Sequence, residues 1–134
     1  QERAEKAAVE FGIPGVYTDY LQMLEHPGLD AVSIVTPPVQ HYEMAMAVLD
    51  ARKHVLCEKP FAMDQTQARE MWCKARDSGL TAMVTHEFRF APGRAYVKEL
   101  LHQGYVGDIR TVNTTLFRGP SESLGRRPMA WMAA

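Results

Sequence analysis

The chain has 134 residues, room for one small domain with a real core, and its 15 basic and 16 acidic residues leave a net charge of −1. No Lys/Arg block stands out and no apolar run approaches the roughly 20 residues that cross a bilayer, so nucleic-acid binding and membrane roles have no footprint. The two cysteines, Cys57 and Cys73, lack CxxC spacing and nearby ligand partners, which argues against a structural zinc or a disulfide framework and for thiols in a reducing compartment, with cytoplasm the expected location.

The first segment, from Glu2 to Phe11, sets Ala4, Ala7, Ala8 and Phe11 on one helical face, with Gly12 as its C′ residue and Pro14 just beyond. Residues 15–18 read as a short strand. Asp19 is placed to cap a helix through Tyr20, Met23 and Leu24, which breaks at Pro27-Gly28. Residues 31–35 (AVSIV) form a short β-branched run ending in Thr36-Pro37-Pro38, the pattern of a parallel strand covered on both faces. A helix follows over 41–52 with Ala45, Val48 and Leu49 inward, then a strand over His54 to Cys57 with Glu58-Lys59-Pro60 at its end.

Asp64 opens the next helix with Gln67 three residues on, a variant of the capping box. Ala68, Met71, Trp72 and Ala75 make its apolar stripe, and Gly79 ends it. Residues 81–85 read as a further strand and 93–103 as a helix with Val97, Leu100 and Leu101 inward, closed by Gly104. Over 109–117 the pattern turns β-rich and alternating, as in a strand of a second, half-open sheet. Strict alternation of helix and strand with short connections predicts an α/β protein with right-handed crossovers and a mostly parallel sheet, its two parts meeting near residue 90. Gln1 already lies in a helical pattern and Met132-Ala133-Ala134 carries no stop signal, so both ends are expected to be cuts.

In an open α/β sheet, ligands bind beyond the carboxyl ends of the strands. Three such ends carry unusual residues: Thr36-Pro37-Pro38, Glu58-Lys59-Pro60 and His86-Glu87-Phe88-Arg89. A lysine at a strand terminus can work as an acid or base, although a surface lysine opening a loop would read the same way. Pro60 restricts Lys59 to extended geometry and so fixes its direction. The Thr36-Pro37-Pro38 turn offers a hydroxyl near a ligand, or is a plain turn. His41 sits in the first turn of its helix, where backbone N–H groups favour anions, or is simply solvated or capping. Arg89, between Phe88 and Phe90, suits a carboxylate, phosphate or amide, or an interdomain ion pair. His86 and Glu87 have no metal-ligand spacing with other His or Cys residues, and no metal site is expected. No GxGxxG occurs: Gly12/Gly15 and Gly104/Gly107 lack both the spacing and the preceding strand.

Residues 32–38 (VSIVTPP), His41, 55–60 (VLCEKP), 84–92 (VTHEFRFAP) and Gly107-Asp108-Ile109 occur in that order, and together they resemble the glucose–fructose oxidoreductase, inositol dehydrogenase and MocA (Gfo/Idh/MocA) family. The resemblance runs from about residue 3 to about residue 119, and it is the combination of Thr-Pro turn, His and Glu-Lys-Pro that is specific. It implies that residues 1–90 are the later part of a Rossmann NAD(P)-binding domain. Residues 91–134 would then start an α/β domain with an open sheet, through which homo-oligomers form. It further implies that Lys59 is the catalytic acid–base group at the reacting hydroxyl or carbonyl. Thr36, Pro37, Pro38, His41, Glu58, Lys59, Pro60 and Arg89 would line the NAD or NADP cofactor, and Lys59, His86 and Arg89 the sugar, cyclitol or polyol substrate. The family's first strand, Gly-rich turn and ribose selector would precede Gln1 and its Asp and His partners of the lysine would follow Ala134, so the chain alone is expected to be inactive. Two other readings are a non-catalytic Rossmann-like module for ligand sensing or oligomerisation, and a methyltransferase, which predicts an acidic strand end where Glu58-Lys59-Pro60 stands.

Overall fold

The structure, a computed structural model, describes residues 2–115. Two compact units divide between His86 and Glu87. In the first, three parallel strands, β1 (Ala31–Ile34), β2 (His54–Cys57) and β3 (Ala82–Val84), lie side by side in chain order. Ala31 stands opposite His54 and Ile34 opposite Cys57; Val55 stands opposite Ala82 and Cys57 opposite Val84. Helix α1 (Glu2–Phe11) and the single turn α2 (Tyr20–Leu24) precede the sheet, α3 (His41–Asp50) joins β1 to β2, and α4 (Gln65–Ser78) joins β2 to β3. The alternation read from the sequence is thus two strand–helix–strand units sharing β2, as parallel pairing requires.

Local chemistry sets the helix ends. Asp19 stays extended and its carboxylate accepts the Leu21 N–H at 2.9 Å. Asp64 does the same for the Gln67 N–H at 2.9 Å, while the Gln67 amide oxygen accepts the Met63 N–H at 3.1 Å, one residue further back than a capping box. Gly79 closes α4 at φ +68°, a left-handed conformation that side chains disfavour. Helix α3 ends at Asp50, two residues short of the expected 52, because Arg52 turns to φ +60° and its guanidinium donates to the Ser78 carbonyl at 2.8 Å. Between the helices, the Tyr42 hydroxyl donates to Glu70 at 2.6 Å and Lys74 pairs with Asp50.

The core sits between the sheet and the pair α3/α4. Ile34, Val55 and Cys57 on one face of the sheet pack with Ala45, Val48 and Leu49 of α3, Met71 of α4 and Leu24. The opposite face carries Ser33, Leu56 and Met83, all exposed. The expectation that the 31–35 run is covered on both faces is therefore not met among the described residues: cover comes from one side, and α1 buries none of its side chains.

Two expected strands do not form among the described residues. Residues 15–18 take no ladder; Tyr17 instead makes a side-chain bond of 2.7 Å to the His26 ring. Residues 109–115 are likewise without a strand, and 116 and 117, the rest of that expected element, lie outside the described residues. A β-rich stretch becomes a strand only when a neighbouring backbone takes up its N–H and C=O groups, and neither stretch has one among the described residues.

The second unit holds a 3-10 turn at Glu87–Phe90 and helix α5 (Pro92–His102). Proline at the first helical position is pre-set for a helix start. The Arg94 guanidinium lies 4.6 Å from the Phe88 ring centre and that of Arg89 5.5 Å from Phe90.

Candidate functional site

Because the three strands are parallel and consecutive, their carboxyl ends share one edge of the sheet. The pairing runs on past the strands: the Glu58 N–H donates to the Ile34 carbonyl at 2.9 Å, and the Thr85 N–H to that of Cys57 at 2.8 Å. Glu58 and Thr85 are thereby level, and Lys59 and His86 each come one residue later at the rim. The sequence singled out these strand ends, and within the first unit the fold brings them together.

Lys59 is exposed. It lines a groove of about 490 Å³ with Pro60, Phe61, Asp64 and His86. Its backbone N–H donates to the Glu58 carboxylate at 3.1 Å, which turns the half-buried Glu58 side chain back onto the loop. The Lys59–Pro60 peptide is cis. Groove residues Asp64 and Phe61 had no functional reading from the sequence. Asp64 was read only as a helix cap, and Phe61 not at all, although a large aromatic directly after a strand-end proline is a signal that could have found it.

His41 lies beneath these turns. It opens the inward stripe of α3 that continues through Ala45, Val48 and Leu49, and its ring is 1% exposed. Nδ1 is 2.8 Å from the Pro60 carbonyl oxygen and Nε2 is 2.7 Å from that of Thr36. The ring thus spans the ends of β1 and β2 and is neither solvated nor capping a helix. The Thr36 hydroxyl, expected near a ligand, donates to Met44 Sδ at 3.4 Å. Pro37 is exposed and Pro38, at the start of a 3-10 turn, is half-buried. Arg89 belongs to the second unit.

Burial, reinforced by the charge of Glu58, pushes the Cys57 thiol up to about 11. It is a core side chain with no thiolate to offer near neutral pH. Among the described residues, no three His, Cys, Asp or Glu side chains gather as a metal-binding group, and no helix is long and apolar enough to cross a membrane.

Parallel strands joined by helices, with the polar residues collected at the carboxyl edge, define a Rossmann-type nucleotide-binding unit. Residues 1–86 match the model described as "Oxidoreductase family, NAD-binding Rossmann fold", and the chain belongs to that family, Gfo/Idh/MocA. It is 38% identical over 108 residues to trans-1,2-dihydrobenzene-1,2-diol dehydrogenase of Mus musculus, an alignment covering 81% of this chain and 32% of that protein. Among solved structures, an NAD binding oxidoreductase from Klebsiella pneumoniae shares 37% identity at a TM-score of 0.75, covering 80% of this chain and 28% of that one. Levoglucosan dehydrogenase in complex with NADH and levoglucosan shares 32% identity at the same TM-score, covering 79% and 28%. The chain spans about a third of the length of the curated relatives it matches.

The residues present fit one end of a dinucleotide. An open groove at the carboxyl edge, lined by Lys59, Pro60 and His86, has room and polar groups for a nicotinamide ring. The glycine-rich cradle for a pyrophosphate is not within this sequence.

Proposed function

We propose that the chain is part of an NAD(P)-dependent oxidoreductase that transfers a hydride between nicotinamide and the carbinol or carbonyl carbon of a sugar, cyclitol or related polyol. The bound cofactor supplies the hydride chemistry, and the protein orients the reactants and manages the proton. Lys59 is the acid–base group, holding the substrate oxygen and exchanging a proton with it. The turns of Thr36, Pro37, Pro38, Glu58, Lys59 and Pro60 line the cofactor together with His41, which joins the turns from below. Arg89 joins cofactor and substrate, and His86 shares the substrate side with Lys59. Residues 1–90 serve as the later part of the nucleotide-binding domain and 91–134 as the start of a substrate and oligomerisation domain. Chemistry belongs to the longer assembly, a cytoplasmic homo-oligomer, with this portion inactive alone.

The observation that carries this reading is the exposed Lys59 on the rim of the strand-end groove, across from His86. The relatives' own substrates support it: levoglucosan bound with NADH in one structure, myo-inositol 2-dehydrogenase in another. The test is a fluorescence titration of the intact protein with NADH and NADPH. Saturable binding of at least one is expected. Lys59→Ala removes a charge-assisted hydrogen bond, so about tenfold weaker binding follows, and turnover of polyols falls about 10²–10⁴-fold. A folded protein that binds neither dinucleotide contradicts the reading.

A further inference from the structure

His41 is the most deeply buried polar side chain among the described residues, and the acid–base chemistry proposed above has no use for its ring. Its surroundings say what it does. A carbonyl oxygen only accepts hydrogen bonds, and both ring nitrogens face one, Pro60 at 2.8 Å and Thr36 at 2.7 Å. Both bonds exist together only when each nitrogen carries a proton. The two carbonyls belong to different strand-end turns, joined otherwise by the last rungs of the β1–β2 ladder, such as the Glu58 N–H to Ile34 carbonyl bond. The Pro60 carbonyl follows Lys59 by a single residue, so a force on that oxygen sets where the lysine leaves the backbone.

We propose that His41 is a positioning residue that donates from both ring nitrogens, clamping the Thr36 turn to the Lys59–Pro60 turn and thereby fixing Lys59 over the groove. The inference rests on the assignment of Lys59 given above. It differs from a core-filling role in being directional, because the bond to Pro60 governs the lysine while the bond to Thr36 governs the neighbouring turn. A displacement of about 1 Å at a reacting group is enough to cost catalysis about 10²-fold, so this degree of control matters.

Two measurements on the intact protein decide it. In a spectrum of the unmutated protein labelled with ¹⁵N-histidine, both ring nitrogens of His41 are expected to carry protons protected from solvent exchange. A bare ring nitrogen overturns the clamp, and this needs no variant to fold. The second compares His41→Asn, whose amide nitrogen falls near Nδ1 and can still reach Pro60, with His41→Gln, whose amide falls near Nε2 and can still reach Thr36. NADH is the probe, followed by nicotinamide fluorescence, with Lys59→Ala alongside. His41→Gln is expected to weaken NADH by about tenfold, as Lys59→Ala does, and His41→Asn by only about threefold. Equal losses in the two variants, with Lys59→Ala still weakening binding, reject the positioning role and leave the oxidoreductase reading standing. If Lys59→Ala binds NADH as the unmutated protein does, the role of Lys59 fails and the positioning inference falls with it.

Discussion

Cys57 and Lys59 stand two residues apart and meet opposite surroundings. Cys57, the last residue of β2, is 3% exposed under α3 and α4, whereas Lys59 lies past the strand and leaves the core. The thiol, raised from an ordinary 9.0 to about 11, stays protonated and shielded at pH 8. Iodoacetamide at that pH is therefore expected to label Cys73, half-exposed on α4, well before Cys57; peptide mapping that finds equal labelling refutes this. An unfolded chain ionises the thiol near 9.0 and the folded one near 11, so the stability held by the protonated Cys57 is intact below pH 9 and is lost as pH rises through that window. At this scale the sequence was informative where the cause is local. The place of Lys59 just past a strand end was legible because an apolar strand, an acid and a proline flank it. The partners of His41 were not, since Pro60 lies 19 residues away and no periodicity announces that pairing. The bond of the Thr36 hydroxyl to Met44 was illegible for a similar reason, since it exists only once α3 has docked.

Among the elements, α4 shows how much end chemistry contributes. Its start rests on Asp64 accepting from Gln67 and on Gln67 reaching back to Met63, both beside the groove. Asp64→Ala is expected to cost about 1 kcal/mol in urea or thermal unfolding and Asp64→Asn distinctly less, because asparagine caps nearly as well. Equal stability of Asp64→Ala and the unmutated protein would mean that water replaces the cap at no cost. Caps were readable because donor and acceptor lie three residues apart, and the same locality gave α2 through Asp19 and the close of α4 through Gly79. Strands behave differently. The β-branched 31–35 run and the 15–18 stretch look alike in composition, yet only the first found a neighbour, with His54 to Cys57 beside it. Pairing is a property of two segments, so composition alone could not separate residues 15–18 or 109–115 from true strands.

On the scale of the whole molecule, the first unit is a sheet finished on one side only among the described residues. Parallel sheets depend on cover over both faces, yet Leu56 and Met83 stand 40% and 53% exposed on the open one. Among the described residues β1 has a neighbour along one edge, which leaves a row of backbone donors and acceptors along the other. Helix α1 adds Val9 and Phe11, both largely exposed. Exposed apolar side chains on a sheet face, beside an edge without a neighbour among the described residues, drive association between copies when nothing else covers them. The polypeptide of residues 1–134, prepared alone, is expected to self-associate in light scattering or sedimentation, and a net charge of −1 offers little repulsion to oppose it. Leu56→Lys and Met83→Lys place charge on the open face without entering the packed one and should lower the association. A lysine at Val55 would instead unfold the unit, because that side chain faces α3 and α4. A monodisperse monomer with one cooperative unfolding transition would show that the open face and edge are tolerated as they are.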